Sequence, residues 1–425
     1  MIVENMHTRT FILENRERDV NEVALEGCRC RDVNLPFALE QIAGWQQARK
    51  KVPSWAQCEG IVFPPHLNME QCSSQTTAEY KCRLMRRLMQ PILQGDVLVD
   101  LTGGLGVDFS FLSSLFKHSF YVEREPLLCN LAQHNFKCLR LSGAQVVCSD
   151  GESYLHSIPS IGREAYFKGL CQDETECAGS IRAIYVDPAR RDKNGHRVFA
   201  IDACSPDVAA LRDELFDKAD IVMVKLSPML DWHEALRRLS HGPALGQGCE
   251  VHVVAVNNEC KELLVVMTHK NGPLRVTCVN DGHEFTYYPM EDDASLNIIT
   301  WPVEELVGKF LYVPNASLMK AGCFSQLTTI YGLQAVDANS HLFVSAMPVE
   351  DFPGRVYQII SISSMNKRDI RHALQGVDRA NIAVRNFPIG AETLRKRLKL
   401  KEGGSMFLFA TTAGKRHLLL FCRPL

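Results

Sequence analysis

The spacing of hydrophobic positions changes character along the chain. Up to residue 93 apolar positions recur mostly at helical intervals. Over 79–89, Tyr80, Leu84 and Leu88 share one face while Arg83, Arg86 and Arg87 point elsewhere, and Ser73, Ser74, Thr76 and Thr77 stand ahead as candidate caps. From Gln94-Gly95-Asp96 onward, short continuous apolar runs alternate with helical stretches. The runs VLVDLT (97–102), SFYVE (119–123), AQVVCSD (144–150), IRAIYVDP (181–188) and DIVMVKLSP (220–228) read as strands. Two more, VHVVAVNN and ELLVVMTH, flank an Asn-Asn turn. Strands that are apolar on both faces, with helices between them, predict a parallel, doubly wound α/β sheet.

Beyond Asn271 the strands shorten, with Pro289, Pro302 and Pro314 as punctuation, and a small α+β unit is expected. After Pro353-Gly354 come strand, helix, strand and helix, then two strands paired around Ala413-Gly414. The expected division is an N-terminal helical region (1–93), an α/β domain (94–270), a small α+β domain (271–347) of possible ferredoxin-like form, and a C-terminal domain (348–425).

Charge adds an asymmetry that the near-balance of 47 basic and 49 acidic residues conceals. Residues 355–425 hold 14 Lys and Arg against 4 Asp and Glu, so the remainder is acidic. One polyanion-binding module would give such a separation, and a solvated basic face would give it too. A 46% hydrophobic and 23% charged chain is globular, and no apolar run approaches the roughly 18 residues of a membrane span. The first ten residues carry Glu4, His7 and Arg9 and do not resemble a signal peptide, so a cytoplasmic location is expected. Most of the 16 cysteines sit singly in apolar runs, as Cys148 and Cys422 do, which reads as reduced core thiols. Cys171 and Cys177, in an apparent surface insertion at 156–180, have no second pair, and His233, His241 and His252 are scattered. No metal is expected, and no homo-oligomer is indicated.

The densest chemical signal is Asp100-Leu-Thr-Gly-Gly-Leu-Gly-Val-Asp108, where a buried strand gives way to a helix. Glycines there let a ligand approach the backbone at the carboxyl end of the first strand. A dinucleotide fingerprint needs Gly three residues after Gly106, but position 109 is Phe, and Asp108 stands where a pyrophosphate would lie. Two acids around this turn suit a ligand with an ammonium and a sulfonium. Glu123 ends the second strand, placed for ribose hydroxyls, and Asp150 ends the third, placed for an adenine amino group. Singly such acids are common caps and turn formers; three in register on consecutive strands are hard to assign to capping alone.

Together with Asp187-Pro188, these residues resemble the class I S-adenosylmethionine-dependent methyltransferases over about 94–270, and more narrowly the bacterial members with a C-terminal THUMP-like domain. The resemblance implies a Rossmann-like seven-stranded sheet with the VHVVAVNN/ELLVVMTH hairpin at its edge, and S-adenosylmethionine as cofactor. It implies cofactor contacts from Asp100, Thr102, Gly103, Gly104, Gly106, Asp108, Glu123 and Asp150, with Lys81 reaching the methionine carboxylate. THUMP domains belong to RNA-modifying enzymes, so the implied partner is RNA, ribosomal or transfer. Catalysis would fall to Asp187, Pro188 and Arg190, by direct transfer to a base nitrogen.

The departure lies in Asp187-Pro-Ala-Arg190, which lacks the aromatic that stacks a flipped base in amine-methylating relatives, leaving Arg190 or Arg191 to stack or bind phosphate. No Cys stands near the fifth strand, so covalent catalysis is not expected. Lys225 either contacts substrate or snorkels. In the basic C-terminal unit Leu394 and Leu398 form an inward stripe, while Arg395, Lys396, Arg397 and Lys399 are expected on the surface to meet phosphates, with Arg385 and Phe387 nearby. A protein or small-molecule methyltransferase, and a catalytically silent RNA-binding factor, remain open alternatives.

Overall fold

The computed structural model describes residues 5–27, 32–64, 66–91, 96–159, 180–189, 204–240, 248–289, 295–300 and 302–425. The chain forms two compact units, Met1–Val251 with Lys261–Leu274, and His252–Cys260 with Arg275–Leu425.

In the first unit, helices precede the sheet as the spacing predicts. Helix Gln75–Leu88 buries Tyr80, Leu84 and Leu88, and Ser74 Oγ accepts from the Thr77 N–H at its start. The same face also buries Lys81. The sheet follows with β1 (Val97–Asp100), β2 (His118–Glu123), β3 (Ala144–Cys148), β4 (Ile181–Val186), β5 (Ile221–Leu226), β6 (Cys249–Val256) and β7 (Glu259–Thr268). Their order is β3-β2-β1-β4-β5-β7-β6. β1 runs parallel to β2 and β4, β2 to β3, and β4 to β5, whereas β7 is antiparallel to β5. All of β1 is buried, the state for which its unbroken apolar run is suited. Because these strands are parallel, the ends of β1, β2, β4 and β5 open on one side of the sheet, with the acidic positions beside them.

The strand order does not stop at β6. Within the second unit, which includes the hairpin tip His252–Cys260, β8 (Arg275–Asn280) and β9 (His283–Tyr287) follow β6, so the hairpin is not at the edge. The Asp281 N–H donates to the Ala255 carbonyl there. The rest of this unit is a second sheet made of β10 (Phe310–Pro314), β11 (Gln334–Ala335), β12 (Phe343–Ser345), β13 (Gly354–Ser364), β14 (Asn381–Arg385), β15 (Phe407–Ala413) and β16 (Arg416–Pro424). Its order is β11-β12-β10-β13-β16-β15-β14. The boundary expected at 348 falls inside it: β10 pairs with β13, and one apolar cluster joins Leu311 and Val344 to Tyr357, Phe409 and Leu420. Helix Ala391–Leu398 lays Leu394 and Leu398 against Leu408, Leu419 and Phe421, the inward stripe its spacing predicts.

Candidate active site

The ends of β1, β2, β4 and β5 border an open cavity of about 530 Å³ in the first unit. Of the sequence-predicted cofactor residues, Asp100, Thr102, Gly103, Gly104, Gly106, Asp108, Glu123 and Asp150 line it; of the catalytic and substrate residues, so do Asp187, Pro188 and Lys225. Arg190 and Arg191, like the bulk of the 156–180 insertion, lie outside the described residues.

The glycine turn is shaped by its neighbours. A Cβ on Gly103 would come within 2.2 Å of the Tyr121 ring, so only glycine fits beneath that ring. Gly104 and Gly106 have left-handed backbone, φ 54° and 83°. At Gly104 a Cβ would meet only the Thr102 carbonyl oxygen, at 3.7 Å, which leaves the backbone accessible. Glu123 Oε2 accepts from the Gly104 N–H at 2.8 Å, tying the turn to the end of β2.

Asp100 is buried, and its Oδ1 accepts from the Thr102 N–H at 2.9 Å. Burial pushes its carboxyl well above the ordinary carboxylate range; the Thr102 hydrogen bond opposes the rise, and Asp108, Asp187 and Glu123 add to it. A raised value favours the folded state below the ordinary carboxylate pKa near 4, and that contribution is lost as pH rises toward the folded-state value. Asp100→Asn is therefore expected to melt higher than the wild type at pH 8, with the gap closing toward pH 4, and to bind S-adenosylmethionine more weakly. A melting difference that does not change with pH would remove Asp100 as the source of this cost.

Asp150 has the capping role weighed for strand-end acids: its Oδ1 accepts from the N–H groups of Glu152 and Ser153, both at 3.1 Å, while the residue also lines the cavity. Thr102 Oγ1 accepts from the Asp187 N–H at 2.6 Å, locking the end of β4 to that of β1. Ala189 exchanges backbone hydrogen bonds with Ser205, which holds the Asp-Pro-Ala turn from its other side.

One expected role is corrected. Lys81 does not line the cavity. Its fully buried Nζ donates to both oxygens of Glu262 at 2.7 and 2.6 Å, and lies 3.1 Å from Asp108 Oδ1 and 3.3 Å from Ser73 Oγ. An ammonium already held by two carboxylates is not available to a ligand carboxylate. Asp108 is likewise engaged: its Oδ2 accepts from Ser73 Oγ at 2.6 Å and from the Tyr185 hydroxyl at 2.8 Å. Burial alone would raise its pKa, but Lys81 and Lys225, aided by those hydrogen bonds, hold it down to about 2.

Lys225 does not merely snorkel. Its Nζ contacts Asp187 Oδ2 at 2.6 Å and Ser73 Oγ at 3.0 Å, with Asp108 Oδ2 at 3.7 Å. Burial would lower its pKa, yet Asp187, Asp108 and Glu262 outweigh burial and keep the ammonium charged well above its ordinary range.

Sequence reading missed Ser73, Tyr185 and Glu262. Only Lys81 left a sequence signal: with Thr77, Leu84 and Leu88 it completes an i, i+4, i+7, i+11 stripe, a buried-face position for a lysine.

In the second unit the basic helix is only partly as expected. Lys396, Arg397 and Lys399 are exposed, but Arg395 is largely buried, 15% exposed, with Nη1 donating to the Ala380 carbonyl and Glu392 and Glu402 nearby. Its guanidinium holds the helix to the strand instead of facing outward. Phe387 packs against the core beneath the helix and meets the His417 ring edge to face at 5.4 Å, and Arg385 is half-buried.

Residues 354–424 match a family model described as THUMP domain-like, and residues 310–353 one described as a ferredoxin-like domain. Among solved structures, the chain is similar over its whole length to a protein of Porphyromonas gingivalis W83 assigned as a methyltransferase: 29% identity, 100% of both chains covered, TM-score 0.79. It is also similar to a precorrin-6y C5,15-methyltransferase of Geobacter metallireducens GS-15, with 13% identity, 47% of this chain and 90% of that chain covered, and TM-score 0.32. A SAM-dependent methyltransferase of Agrobacterium tumefaciens gives 14% identity, 45% and 62% coverage, and TM-score 0.31. The curated proteins give no match. Strand order and the full-length likeness are those of an S-adenosylmethionine-dependent methyltransferase, with S-adenosylmethionine as its cofactor, and its C-terminal stretch matches a THUMP-like domain.

Proposed function

We propose that this methyltransferase acts on RNA. The observation that carries the reading is the coincidence of the THUMP-like match over 354–424 with the one strongly basic stretch of the sequence. No helix among the described residues is long and apolar enough to cross a membrane; cysteines that sit mostly singly in apolar runs of the sequence suit a reducing compartment, the cytoplasm.

The cavity fits the cofactor on its own geometry. Gly104 leaves the turn open, Asp100 offers its carboxyl to the methionine ammonium, Glu123 is placed for the ribose hydroxyls, and Asp150 for the adenine amino group. The bound cofactor supplies an electrophilic methyl group on a sulfonium. The chain's own part is to position the acceptor, exclude water and handle a proton. Asp187 and the Pro188 carbonyl, at the end of β4, serve this purpose; an Asp-Pro pair by itself suits a base nitrogen, whose N–H groups would donate hydrogen bonds to it.

Substrate affinity is assigned to the exposed cations of the second unit. Replacing Lys396, Arg397 and Lys399 by Gln is expected to weaken RNA binding and to flatten its salt dependence by about 0.7 in log–log slope per lost single-strand phosphate contact, read by anisotropy across a salt series. S-adenosylmethionine binding should be unchanged. Arg395 is left out because its loss would unpin the helix. RNA binding indifferent to salt and to all three substitutions would overturn the RNA reading and favour a protein or small-molecule acceptor.

A further inference from the structure

We infer that the methyl acceptor is an aliphatic hydroxyl, the ribose 2′-hydroxyl of RNA, rather than a base nitrogen, because Asp187 meets the cavity paired with the ammonium of Lys225. The inference rests on the RNA methyltransferase reading.

Behind that pair stands a chain of alternating charge. Glu262 holds Lys81 at 2.6 Å, Lys81 lies 3.1 Å from Asp108, Asp108 lies 3.7 Å from Lys225, and Lys225 lies 2.6 Å from Asp187. Its links come from the helix before β1, the helix Val107–Leu112 that follows the glycine turn, β7, β5 and the end of β4, with Ser73 touching both lysines. Burying so many charges is costly unless each is paired, and only Asp108, Lys225 and Asp187 of the five line the cavity.

The two acceptor chemistries make opposite demands. A neutral amine attacks with its lone pair and becomes cationic as the C–N bond forms, so an ammonium beside it raises the barrier. An aliphatic hydroxyl is a weak nucleophile until its proton departs, and it gathers negative charge as it does so, which an ammonium stabilises and a carboxylate can prompt by taking the proton. Lys225 and Asp187 supply both groups at hydrogen-bond distance from each other.

The described part of the cavity offers no free aromatic face on which a base could stack. Among the described residues lining it the only aromatic is Tyr185, whose hydroxyl is bound to Asp108 and whose ring is buried. Within an RNA strand the 3′ and 5′ oxygens are esterified, and the 2′-hydroxyl is the alcohol left free.

The step balances. The hydroxyl proton passes to the Asp187 carboxylate, the oxygen's electron pair forms the O–CH3 bond, the S–CH3 bond breaks, and its electron pair remains on sulfur as a thioether. Asp187, 39% exposed at its side chain, returns the proton to water.

The test incubates the full-length protein with methyl-labelled S-adenosylmethionine and total RNA from cells lacking the gene, then splits the RNA between alkaline hydrolysis and enzymatic digestion to nucleosides. Alkaline cleavage uses the 2′-oxygen, so a 2′-O-methylated residue survives in a dinucleotide. Label is expected in alkali-stable dinucleotides and, after base release, with the sugar. Label in mononucleotides and on a released base would overturn the inference and leave the RNA reading standing; label absent from RNA would overturn both.

Lys225→Met is expected to lower kcat by roughly 10²–10³ with the KM for S-adenosylmethionine changed less than about threefold. A Lys225→Met variant as active as the wild type overturns the role of the ammonium. Retained binding of S-adenosyl-L-homocysteine by calorimetry separates loss of catalysis from loss of fold.

Discussion

Asp187→Ala is expected to reduce methyl transfer by roughly 10² or more while leaving S-adenosylmethionine affinity nearly intact, the scale on which loss of one preorganised electrostatic group acts. The turn that carries Asp187 is held by backbone: its N–H donates to Thr102 Oγ1, and Ala189 pairs with Ser205, and neither interaction involves the carboxylate. The acids proposed to face the cofactor, Asp100, Glu123 and Asp150, line the cavity from the other strand ends. Truncation therefore takes away the group beside the acceptor and leaves the cofactor's contacts in place. Single-turnover transfer, with calorimetric binding in parallel, checks both halves. An Asp187→Ala enzyme with full activity would exclude the residue from the mechanism, and a parallel fall in cofactor affinity would move it to the binding site.

The second large effect is on stability. Lys81→Met should destabilise the first unit by about 3–5 kcal/mol, because it strands the Glu262 and Asp108 carboxylates in the interior without their shared cation. Lys81→Met combined with Glu262→Leu is expected to regain most of the loss, since the largest uncompensated charge is then gone. Denaturant unfolding of the single and double variants gives the comparison, and equal losses in the two would show that the pair is not the cause. The pH response has a definite sign. Asp108 has a folded-state pKa depressed to about 2, so its contribution to stability is present above the ordinary carboxylate value near 4 and is lost as pH falls toward 2. Without Lys81 that depression shrinks, and the variant should lose stability at a higher pH than the wild type. Unfolding at pH 3 and pH 6 separates the two cases.

Much of this was legible in the chain. Continuous apolar runs such as VLVD and IVMVKL identify strands buried on both faces, since any other placement would expose them; the alternation with helices then demands parallel pairing, and parallel pairing brings the ends of β1, β2, β4 and β5 together on one side of the sheet. Asp100, Glu123, Asp187 and the glycine turn follow from that chain of reasoning because each belongs to a strand end. The inward stripe of Leu394 and Leu398 is local in the same sense.

What the tertiary structure alone decided is which groups meet. Lys81 and Glu262 are 181 positions apart, and neither periodicity nor spacing carries information about a partner at that distance. The lysine that was expected to bind cofactor is a buried counter-ion, Asp108 is occupied by Ser73, Tyr185 and two ammonium groups, and Arg395 is turned inward to the Ala380 carbonyl. Residue type sets what a side chain can bond to; for a buried charge the high cost of lacking a partner means that the neighbours brought up by the fold determine what it does.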